Sequence, residues 1–338
     1  MTHRILLPRR GMLLAGLAAP LAAPLAAPSI GRAQTAWPQR DLRMIVPFPP
    51  GGSTDVLARF VAQALREQVG RPVVVENQAG AGGTTSAGRF AREGDDHAFF
   101  VSQIATHGIA PSLFRSLQYD PAADFRAVSL MTTVPNVWLA NRDRVPHGDV
   151  RQVLRDARAR PTEITFASAG NGTSTHLTGE LISQQAGVQM THVPYRGAGP
   201  GMTAVMGGEV DTFIDNFTTA LPQIQAGTVI ALAVTSPQRR PEIPNVPAMA
   251  ELGAEFGMEG FAAEAWFGLH THRSASDAVV ARMGEAVRTT LAGQALRAQL
   301  AERGTELRSS TPEEYDALMR RELARWAEVV QRGNIIVQ

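Results

Sequence analysis

The sequence contains no cysteine and no lysine among its 338 residues. Without cysteine the chain has no thiolate nucleophile, disulfide, iron–sulfur cluster or cysteine-ligated zinc, and no residue to carry a lipoprotein anchor. Without lysine it has neither Schiff-base chemistry nor a phosphate-binding P-loop, because both depend on a lysine ammonium group. These two absences exclude several classes of enzyme before any motif is considered.

Charge is also scarce. Charged residues make up 19% of the chain and the formal net charge is +1. Four of the arginines, and no acidic residue, lie in the first 33 positions, so the remainder carries a formal charge of −3. Such a chain has no basic field that would hold nucleic acid or acidic lipid, and no nucleic-acid partner is expected. Its length and its 44% of hydrophobic residues predict a globular protein of two domains.

The first 33 residues have the pattern of a secretory signal peptide. Arg4, Arg9 and Arg10 precede an apolar run at 11–27, and the small residues Gly31 and Ala33 mark a cleavage site after Ala33. A membrane-spanning helix would need ~20 apolar residues without the three prolines found here. We therefore predict a periplasmic protein, with general secretory and twin-arginine export both left open, because Arg9-Arg10 fits either.

The mature chain alternates short β-branched runs with amphipathic segments. Strands are predicted at 42–47, 73–75 (buried), 97–102, 163–168, 190–195, 211–215 and 228–235, and helices at 53–69, 175–185, 202–207, 276–291, 294–303 and 312–331. Strands alternating with helices indicate an α/β fold with mainly parallel sheets flanked by helices. The proline- and glycine-rich stretches at 135–146 and 237–247 are interpreted as loops or crossovers.

The sharpest local motif is Val-Pro-Phe-Pro-Pro-Gly-Gly-Ser-Thr-Asp at positions 46–55, a strand that breaks into a turn and opens a helix. Glycine allows a ligand to approach the backbone closely, and the first helical N–H groups lack intrahelical partners, so this turn can bind an anion. Ser53, Thr54 or Asp55 can cap the helix. The alternative is an ordinary capped strand-to-helix connection.

A second motif of this kind is Ala-Gly-Asn-Gly-Thr-Ser-Thr-His at 169–176, which follows the strand at 163–168. Its hydroxyls and glycines offer adaptable donors but no strong nucleophile. His176 stands where the serine-hydrolase elbow requires its second glycine, which favours binding over acyl transfer. A lone histidine such as His176 is more often structural than a ligand.

Two weaker patterns point to no cofactor and no metal. The glycine-rich run at 80–85 has Thr85 in place of the third glycine of a dinucleotide-binding turn. His270 and His272 share a predicted strand face, but no third clustered ligand accompanies them. A flexible glycine-rich connection and a pair of structural histidines are the favoured interpretations.

Several segments in order along the chain resemble the substrate-binding receptors of tripartite tricarboxylate transporters, often called the Bug family. They are the motif at 46–55, Val-Glu-Asn-Gln-Ala-Gly at 75–80, Ser-Ala-Gly-Asn-Gly-Thr at 168–173 with His176-Leu177, Val-Pro-Tyr-Arg-Gly at 193–197, Gly-Gly-Glu-Val-Asp at 207–211, Leu221-Pro222 with Ala226-Gly227, Asn-Val-Pro at 245–247, Trp-Phe-Gly at 266–268 and Thr-Pro-Glu-Glu at 311–314. Together they cover nearly all of the mature chain.

The resemblance implies a two-lobe periplasmic binding protein, type II-like, with a ligand cleft between the lobes and two crossover strands. Lobe 1 would hold 37–139 and 269–338, and lobe 2 would hold 140–268. Where relatives have a small turn after the returning strand, this chain has residues 270–277, so the details of the hinge are left open.

By the same resemblance, the chain would bind a small mono-, di- or tricarboxylate and deliver it, as a monomer, to integral-membrane transporter subunits. One wall of the cleft would be formed by Phe48, Gly51, Gly52, Ser53 and Thr54, with Ala105 and Thr106 beside it. The other would be formed by Gly170, Gly172, Thr173, Ser174, Thr175 and His176, with Tyr195 and Asp215 near the cleft. No catalytic residue, metal ligand or cofactor is implied.

Two alternatives remain. A periplasmic receptor that feeds a two-component sensor would use the same closed lobes as its signal. An exported α/β hydrolase is less favoured, because it would need a nucleophile beside an oriented base, and no such set can be assembled from the sequence.

Overall fold

A computed structural model describes residues 37–333 and 335. The predicted signal peptide at 1–33 lies outside these residues. The described strands are β1 (Leu42–Val46), β2 (Val73–Asn77), β3 (Ala98–Gln103), β4 (Phe125–Ala140), β5 (Thr165–Ser168), β6 (Thr191–Pro194), β7 (Thr212–Asn216), β8 (Ile230–Val234) and β9 (Glu264–His272).

The described helices are α1 (Ser53–Val69), α2 (Thr84–Glu93), α3 (Ala110–Leu113), α4 (Val150–Ala159), α5 (Ser174–Ala186), α6 (Ala198–Met206), α7 (Phe217–Gln225), α8 (Gly253–Phe256), α9 (Asp277–Ala292), α10 (Gln294–Ala301) and α11 (Pro312–Gly333). Short 3-10 turns occupy Ala81–Gly83 and Met249–Leu252, and a π-helical turn occupies Ala105–Ile109. No helix in the described part of the chain combines the length and hydropathy needed to cross a bilayer.

The strands form a mixed sheet in the order β2-β1-β3-β9-β4-β7-β5-β6, with β8 also paired to β4. Pairs are parallel within the group β1, β2 and β3 and within the group β5, β6 and β7. Every pair that involves β4 or β9 is antiparallel. The predicted parallel pairing therefore holds within each group. The two long strands add antiparallel pairs because β4 leaves the first group and β9 runs back to it.

Strand β4 passes from one group to the other within its 16 residues. It pairs with β9 as far as Pro135, and from Asn136 to Ala140 it pairs with β7. Pro135, which has no N–H to donate, stands where the partner changes and a ladder hydrogen bond is least needed. The crossover predicted near this proline is thus a continuous strand and not a loop.

Helix α1 forms where the sequence predicts it. Leu57, Val61 and Leu65 recur at helical spacing and are buried against the sheet. Gly70 ends the helix in the left-handed conformation, with φ of 69°. The helix consequently fixes its first turn, at Ser53, beside the carboxyl end of β1.

The segment at 73–75, predicted to be a buried strand, is instead the edge of the sheet. Strand β2 pairs with β1 alone, and the Val74 side chain is 46% exposed. A short run of valines does not distinguish an edge strand from a central one. Its position follows from the topology and not from its composition.

The three late helices are confirmed, and α11 packs on the returning strand β9. Tyr315 and Trp326 of α11 are buried. Gly268 of β9 lies so close to the Tyr315 ring that a Cβ there would be 2.2 Å from its Cζ. After β9, the chain turns at 273–276 and Ser276 caps α9 by accepting from the Val279 N–H. The C-terminal helices therefore cover the strand that brings the chain back to the first group.

Candidate functional site

Four helices begin around one small cavity of about 30 Å³. The N-cap residues of α1, α5, α6 and α7, which are Gly52, Thr173, Gly197 and Asn216, all line it. The remaining lining residues are Phe48, Pro49, Ser53, Thr54, Gln103, Ala169, Ser174, Thr175, Ala198 and Asp215. Because the N-terminus of a helix carries partial positive charge, the cavity gathers four positive ends.

Most of these helix ends are uncapped by their own side chains. Gly52, Gly197 and Asn216 make no side-chain capping hydrogen bond. Only Thr173 caps its helix, by accepting from the His176 N–H at 3.3 Å. The first amide groups of a helix have no intrahelical acceptor, so three of the four ends keep donors for a ligand.

The first wall of the cavity, residues 48–55, is held by a buried carboxylate. Asp55 accepts from the Gly51 N–H at 2.9 Å, from Asn77 at 2.8 Å and from Arg59 at 3.0 Å. Asn77 also donates to the Phe48 carbonyl at 3.0 Å. Burial alone would raise the pKa of Asp55, but these hydrogen bonds and the Arg59 charge hold it below its usual range. Asp55 therefore positions the wall and is not a helix cap.

The second wall, residues 168–176, is held by neutral groups. The Thr173 hydroxyl donates to the Gly170 carbonyl at 2.6 Å, and Thr175 Oγ1 accepts from the Ala169 N–H at 3.0 Å. His176 Nδ1 accepts from the Gly172 N–H at 3.2 Å. Gly170 and Gly172 have φ of 128° and 77°, which favours glycine at both positions.

Ser174 has the least engaged hydroxyl of the second wall. Its only hydrogen-bond contact among the described residues is a long one, 3.5 Å from Asn216 Nδ2. Since Thr173 and Thr175 are committed to holding the loop, Ser174 is the hydroxyl best placed to turn toward a ligand.

Asp215 lines the cavity at the end of β7 and is 1% exposed. The Thr219 hydroxyl lies 2.7 Å from its Oδ2, and that hydroxyl is also 3.0 Å from Ser53 Oγ. No salt bridge reaches Asp215 from any described residue. Burial raises its pKa to about 7, against the smaller opposing effect of the hydrogen bonds.

The cavity brings together about half of the residues that the sequence predicts for it. Those lining it are Phe48, Gly52, Ser53, Thr54, Thr173, Ser174, Thr175 and Asp215. Gly170 and Tyr195 line a neighbouring chamber. The other predicted residues, Gly51, Ala105, Thr106, Gly172 and His176, line neither space, and Gly51, Gly172 and His176 support the walls through the hydrogen bonds above.

The sequence interpretation missed six lining residues, namely Pro49, Gln103, Ala169, Gly197, Ala198 and Asn216. A rule that ligands bind beyond the carboxyl ends of parallel strands points to Gln103 and Asn216, which end β3 and β7. Gly197 and Ala198 were missed because the helix predicted at 202–207 begins earlier, at Ala198. Pro200 lies in its first turn, where proline is tolerated.

The neighbouring chamber, lined by Phe48, Pro49, the 79–83 segment, Phe114 and residues 169–171 and 194–197, has a volume of about 600 Å³. Arg196 lines it and is exposed. The Tyr195 hydroxyl donates to Glu209 at 2.9 Å. In this chamber Arg196 is the one cationic side chain among the described lining residues.

Two serine–histidine pairs lie near the sheet, but neither has the setting of a hydrolase. Ser168 Oγ is 2.6 Å from His192 Nε2, and Ser102 Oγ is 2.5 Å from His270 Nδ1. Both serines are fully buried and neither lines the cavity. Burial lowers the pKa of both histidines to about 3, which makes them weak bases at neutral pH.

The His270 and His272 pair forms no metal cluster in the described residues. His270 bonds Ser102, and His272 bonds Ser274 and the Ala91 carbonyl. The described part of the chain has one group with suitable ligand spacing, Asp95, Asp96 and His97. Within this group Asp95 pairs with Arg40 and Asp96 with His97.

A model of the tripartite tricarboxylate transporter family receptors matches residues 57–335. The chain belongs to this family. BugT of Bordetella pertussis is 33% identical over 319 residues, which are 94% of this chain and 93% of BugT. The family resemblance read from the sequence motifs is thereby confirmed.

Solved structures of similar receptors share the fold. A Rhodopseudomonas palustris protein solved with adipate has a TM-score of 0.84 and 31% identity, and the match covers 89% of this chain and 99% of that one. MatC from the same organism, with bound malate, has a TM-score of 0.81 and 32% identity, covering 87% and 100%. Solved periplasmic binding proteins likewise match. The receptor is therefore a two-lobe α/β periplasmic binding protein. The predicted lobe boundaries and the individual ligand-binding residues stay predictions.

Proposed function

We propose that this receptor captures a small mono-, di- or tricarboxylate between its lobes and delivers it to the integral-membrane subunits of a tripartite tricarboxylate-type transporter. The observation that carries the proposal is the convergence of four helix N-termini on one cavity. Each end favours negative charge and offers N–H donors, so a carboxylate is the group that suits the cavity best.

The ligand contacts we propose are the lining residues of the two walls. Amides at the starts of α1, α6 and α7 and the hydroxyls of Ser53 and Ser174 would grip an acid group. Hydrogen bonds to a charged group contribute ~1.5–3 kcal/mol each. A carboxylate held by several neutral donors therefore needs no arginine or lysine, which suits a cavity that Arg196 adjoins without lining.

The relatives support the class of ligand. Adipate and malate, found in two similar structures, are both small dicarboxylic acids. The small cavity shares Phe48, Pro49, Ala169 and Gly197 with the larger chamber, so we place one acid group at the helix ends and a second group in the chamber, toward Arg196.

Capture would require the lobes to close over the ligand. We place the lobes at 37–139 with 269–338 and at 140–268, so that the chain crosses near the end of β4 and within β9. Closure of rigid lobes about such crossings is a hinge motion. We expect a bound acid to reduce the radius of gyration in solution scattering. A bound acid that leaves the scattering profile unchanged would contradict these boundaries.

The protein would act outside the inner membrane, which requires its leader. Chains lacking residues 1–33 should stay in the cytoplasm, and the full chain should be recovered from the periplasm in mature form. Replacing both Arg9 and Arg10 by lysine should stop export only if the twin-arginine route is used. Uncleaved protein in the membrane fraction would contradict the leader assignment.

Native mass spectrometry of freshly purified receptor tests the function directly. We expect a captured small acid, and we expect added adipate or malate to raise the melting temperature without being converted to product. Model esters should not be hydrolysed, and this separates a receptor from a hydrolase. A protein stabilised by no member of a panel of mono-, di- and tricarboxylates would refute the proposal.

A further inference from the structure

Asp215 is an acidic side chain in a cavity that suits an acidic ligand. It is the one ionisable side chain among the described residues that line this cavity, and it is 1% exposed. No arginine or histidine of the described chain forms an ion pair with it. A bound carboxylate would therefore share the cavity with a second carboxyl group and no compensating side-chain cation.

The charged and titratable groups on the surrounding elements are engaged elsewhere. Asp55 on α1 bonds Arg59, and His176 on α5 bonds the Gly172 N–H and lies 3.7 Å from Glu180. His192 on β6 bonds Ser168, and Arg196 lines the outer chamber. Strands β5 and β8, helices α6 and α7, and the part of β4 that pairs with β7 contain no ionisable side chain. Asp215 is therefore the ionisable group whose protonation a bound acid would change.

The hydroxyl beside Asp215 accommodates either protonation state. Thr219 has a single hydroxyl hydrogen and three oxygens within reach, namely Asp215 Oδ2 at 2.7 Å, Ser53 Oγ at 3.0 Å and the Asn216 carbonyl at 3.1 Å. It donates to Oδ2 of an ionised Asp215, and it can still do so when the proton sits on the other carboxyl oxygen, which leaves that proton for a ligand. Neither state leaves the Thr219 hydroxyl without a partner.

The helix ends stabilise one negative charge in the cavity. Either the ligand acid or Asp215 can be the group that carries it. In the empty cavity that charge belongs to Asp215 whenever it is ionised. When two carboxyl groups share a site without a cation, one of them is pushed strongly toward its protonated form. The ligand acid, bonded to the amide donors, is the group that keeps the charge, so Asp215 is the group that takes up the proton.

We propose that Asp215 takes a proton from solvent as the receptor binds a carboxylate, and that its protonated carboxyl donates a hydrogen bond to the ligand, so that one proton is captured with each acid. No covalent bond of the ligand changes. Burial already raises the pKa of Asp215 to about 7. The inference rests on the proposed function and deepens it, because it names a residue that sets the affinity for acids and its dependence on pH.

Calorimetry in buffers of different ionisation enthalpy measures the proton directly, with adipate and malate as probes. At pH 8, wild-type receptor should take up close to one proton per acid, and at pH 6 close to none. Its affinity should be about tenfold weaker at pH 8 than at pH 6, as expected when one proton binds with the ligand. This wild-type measurement stands even if a variant folds poorly.

Asp215→Asn carries a permanent amide donor and no titratable proton. Its proton uptake should vanish and its affinity should be the same at pH 6 and pH 8. Asp143→Asn makes the same chemical change at an exposed position away from the cavity and should keep the wild-type pH dependence. Melting curves of both variants show whether they are folded.

Three outcomes would overturn this inference alone. The first is acid binding by the wild type that takes up no proton at pH 8, and the second is proton uptake that persists in Asp215→Asn. The third is a preference for amino acids over plain acids that Asp215→Asn abolishes, since an ionised Asp215 would then hold an ammonium group. Failure of every acid to bind would instead refute the proposed function, and this inference with it.

Discussion

The two walls of the cavity have similar sequences but are held in different ways. Each is a strand that ends in a glycine-containing turn and continues into a helix. The first wall, 48–55, is held by the buried Asp55, whose partners are Gly51 in the turn, Arg59 one turn along α1 and Asn77 on β2. The second wall, 168–176, is tied down by hydroxyls and a histidine of its own loop.

The two walls should therefore differ in how they respond to the loss of one side chain. Removing the Asp55 carboxylate leaves several donors without an acceptor, and buried donors without acceptors are costly. Removing one hydroxyl from the second wall leaves its neighbours in place. We therefore expect a single substitution at Asp55 to disrupt the whole first wall, whereas each substitution in the second wall should have a smaller, separate effect.

The largest effect is expected from Asp55→Ala. The Gly51 N–H, Asn77 and Arg59 lose their shared acceptor, so the turn that carries Phe48 is no longer fixed. We expect acid affinity to fall roughly a hundredfold, which is ~2.7 kcal/mol, and the free energy of unfolding to fall by about 2 kcal/mol. Calorimetry and urea unfolding measure the two quantities.

Glu93→Ala is the matched control, because Glu93 forms a helical ion pair with Arg89 four residues away but is exposed. Exposed pairs contribute ~0–1 kcal/mol, so this variant should bind and unfold like wild type. Equal losses in the two variants would show that Asp55 does not hold the first wall.

Low pH should destabilise the second wall through His192, which stacks on His176 and bonds Ser168. Burial and the neighbouring His176 lower the pKa of His192 to about 3. Below pH ~6.5 the unfolded chain binds a proton that the folded chain excludes, so stability is full above that pH and is lost as pH falls toward 3. The loss attributable to one such histidine is roughly 2 kcal/mol at pH 5.

Urea unfolding at pH 7 and pH 5 measures this loss, and His192→Gln isolates it by removing the titrating group. The variant should lose less stability than wild type over that interval. The same pH dependence in both proteins would rule out His192 as the acid-sensitive part of the second wall.

A tenfold loss of acid affinity, or ~1.4 kcal/mol, is expected from Thr175→Ala. This hydroxyl accepts from the Ala169 N–H at 3.0 Å and lies 2.9 Å from Thr173 Oγ1. Thr191→Ala removes an exposed hydroxyl that bonds only the Thr162 carbonyl and should leave binding unchanged. A hundredfold loss of acid affinity in Thr175→Ala would mean that a single substitution disrupts the whole second wall too.

The smallest effect is expected at Gly82, where the 79–83 segment approaches Asn171 of the second wall. Gly82 has φ of 63°, and a Cβ there would lie 2.7 Å from the Asn171 carbonyl oxygen. Gly70 has φ of 69° and open space around its missing Cβ. Replacing either by alanine should cost ~1–2 kcal/mol of stability through backbone strain. Only Gly82→Ala should also lower acid affinity, by about threefold, and equal affinities in the two variants would argue that this contact has no part in binding.

Much of the fold follows from local patterns. The helix at 53–69 was predicted to the residue, because its apolar spacing ends at a glycine that adopts the left-handed conformation. The edge position of β2 was not predictable, since its valines suit an edge or a central strand equally. The long antiparallel β4 was missed because Pro135 suggests a break, although the sheet has no need of its N–H at that point.

For the site, sequence motifs located both walls but not what supports them. Glycines and hydroxyls before a helix have a recognisable spacing, which identified Ser53, Thr54 and Ser174. Asn77 lies 22 positions from Asp55, and only the assembled sheet brings it to the first wall. The sheet likewise brings Gln103 and Asn216, which end distant strands, to the cavity. The raised pKa of Asp215 follows from burial, which depends on the whole fold.

We propose that the cavity selects a carboxylate through helix ends and neutral donors. Calorimetry with matched ligands tests it most directly, comparing adipate and malate with their amides at pH 6. Because helix N-termini favour negative charge, the acids should bind at least about tenfold more tightly than the amides. Equal affinity for acid and amide would contradict this selectivity, even with the fold unchanged.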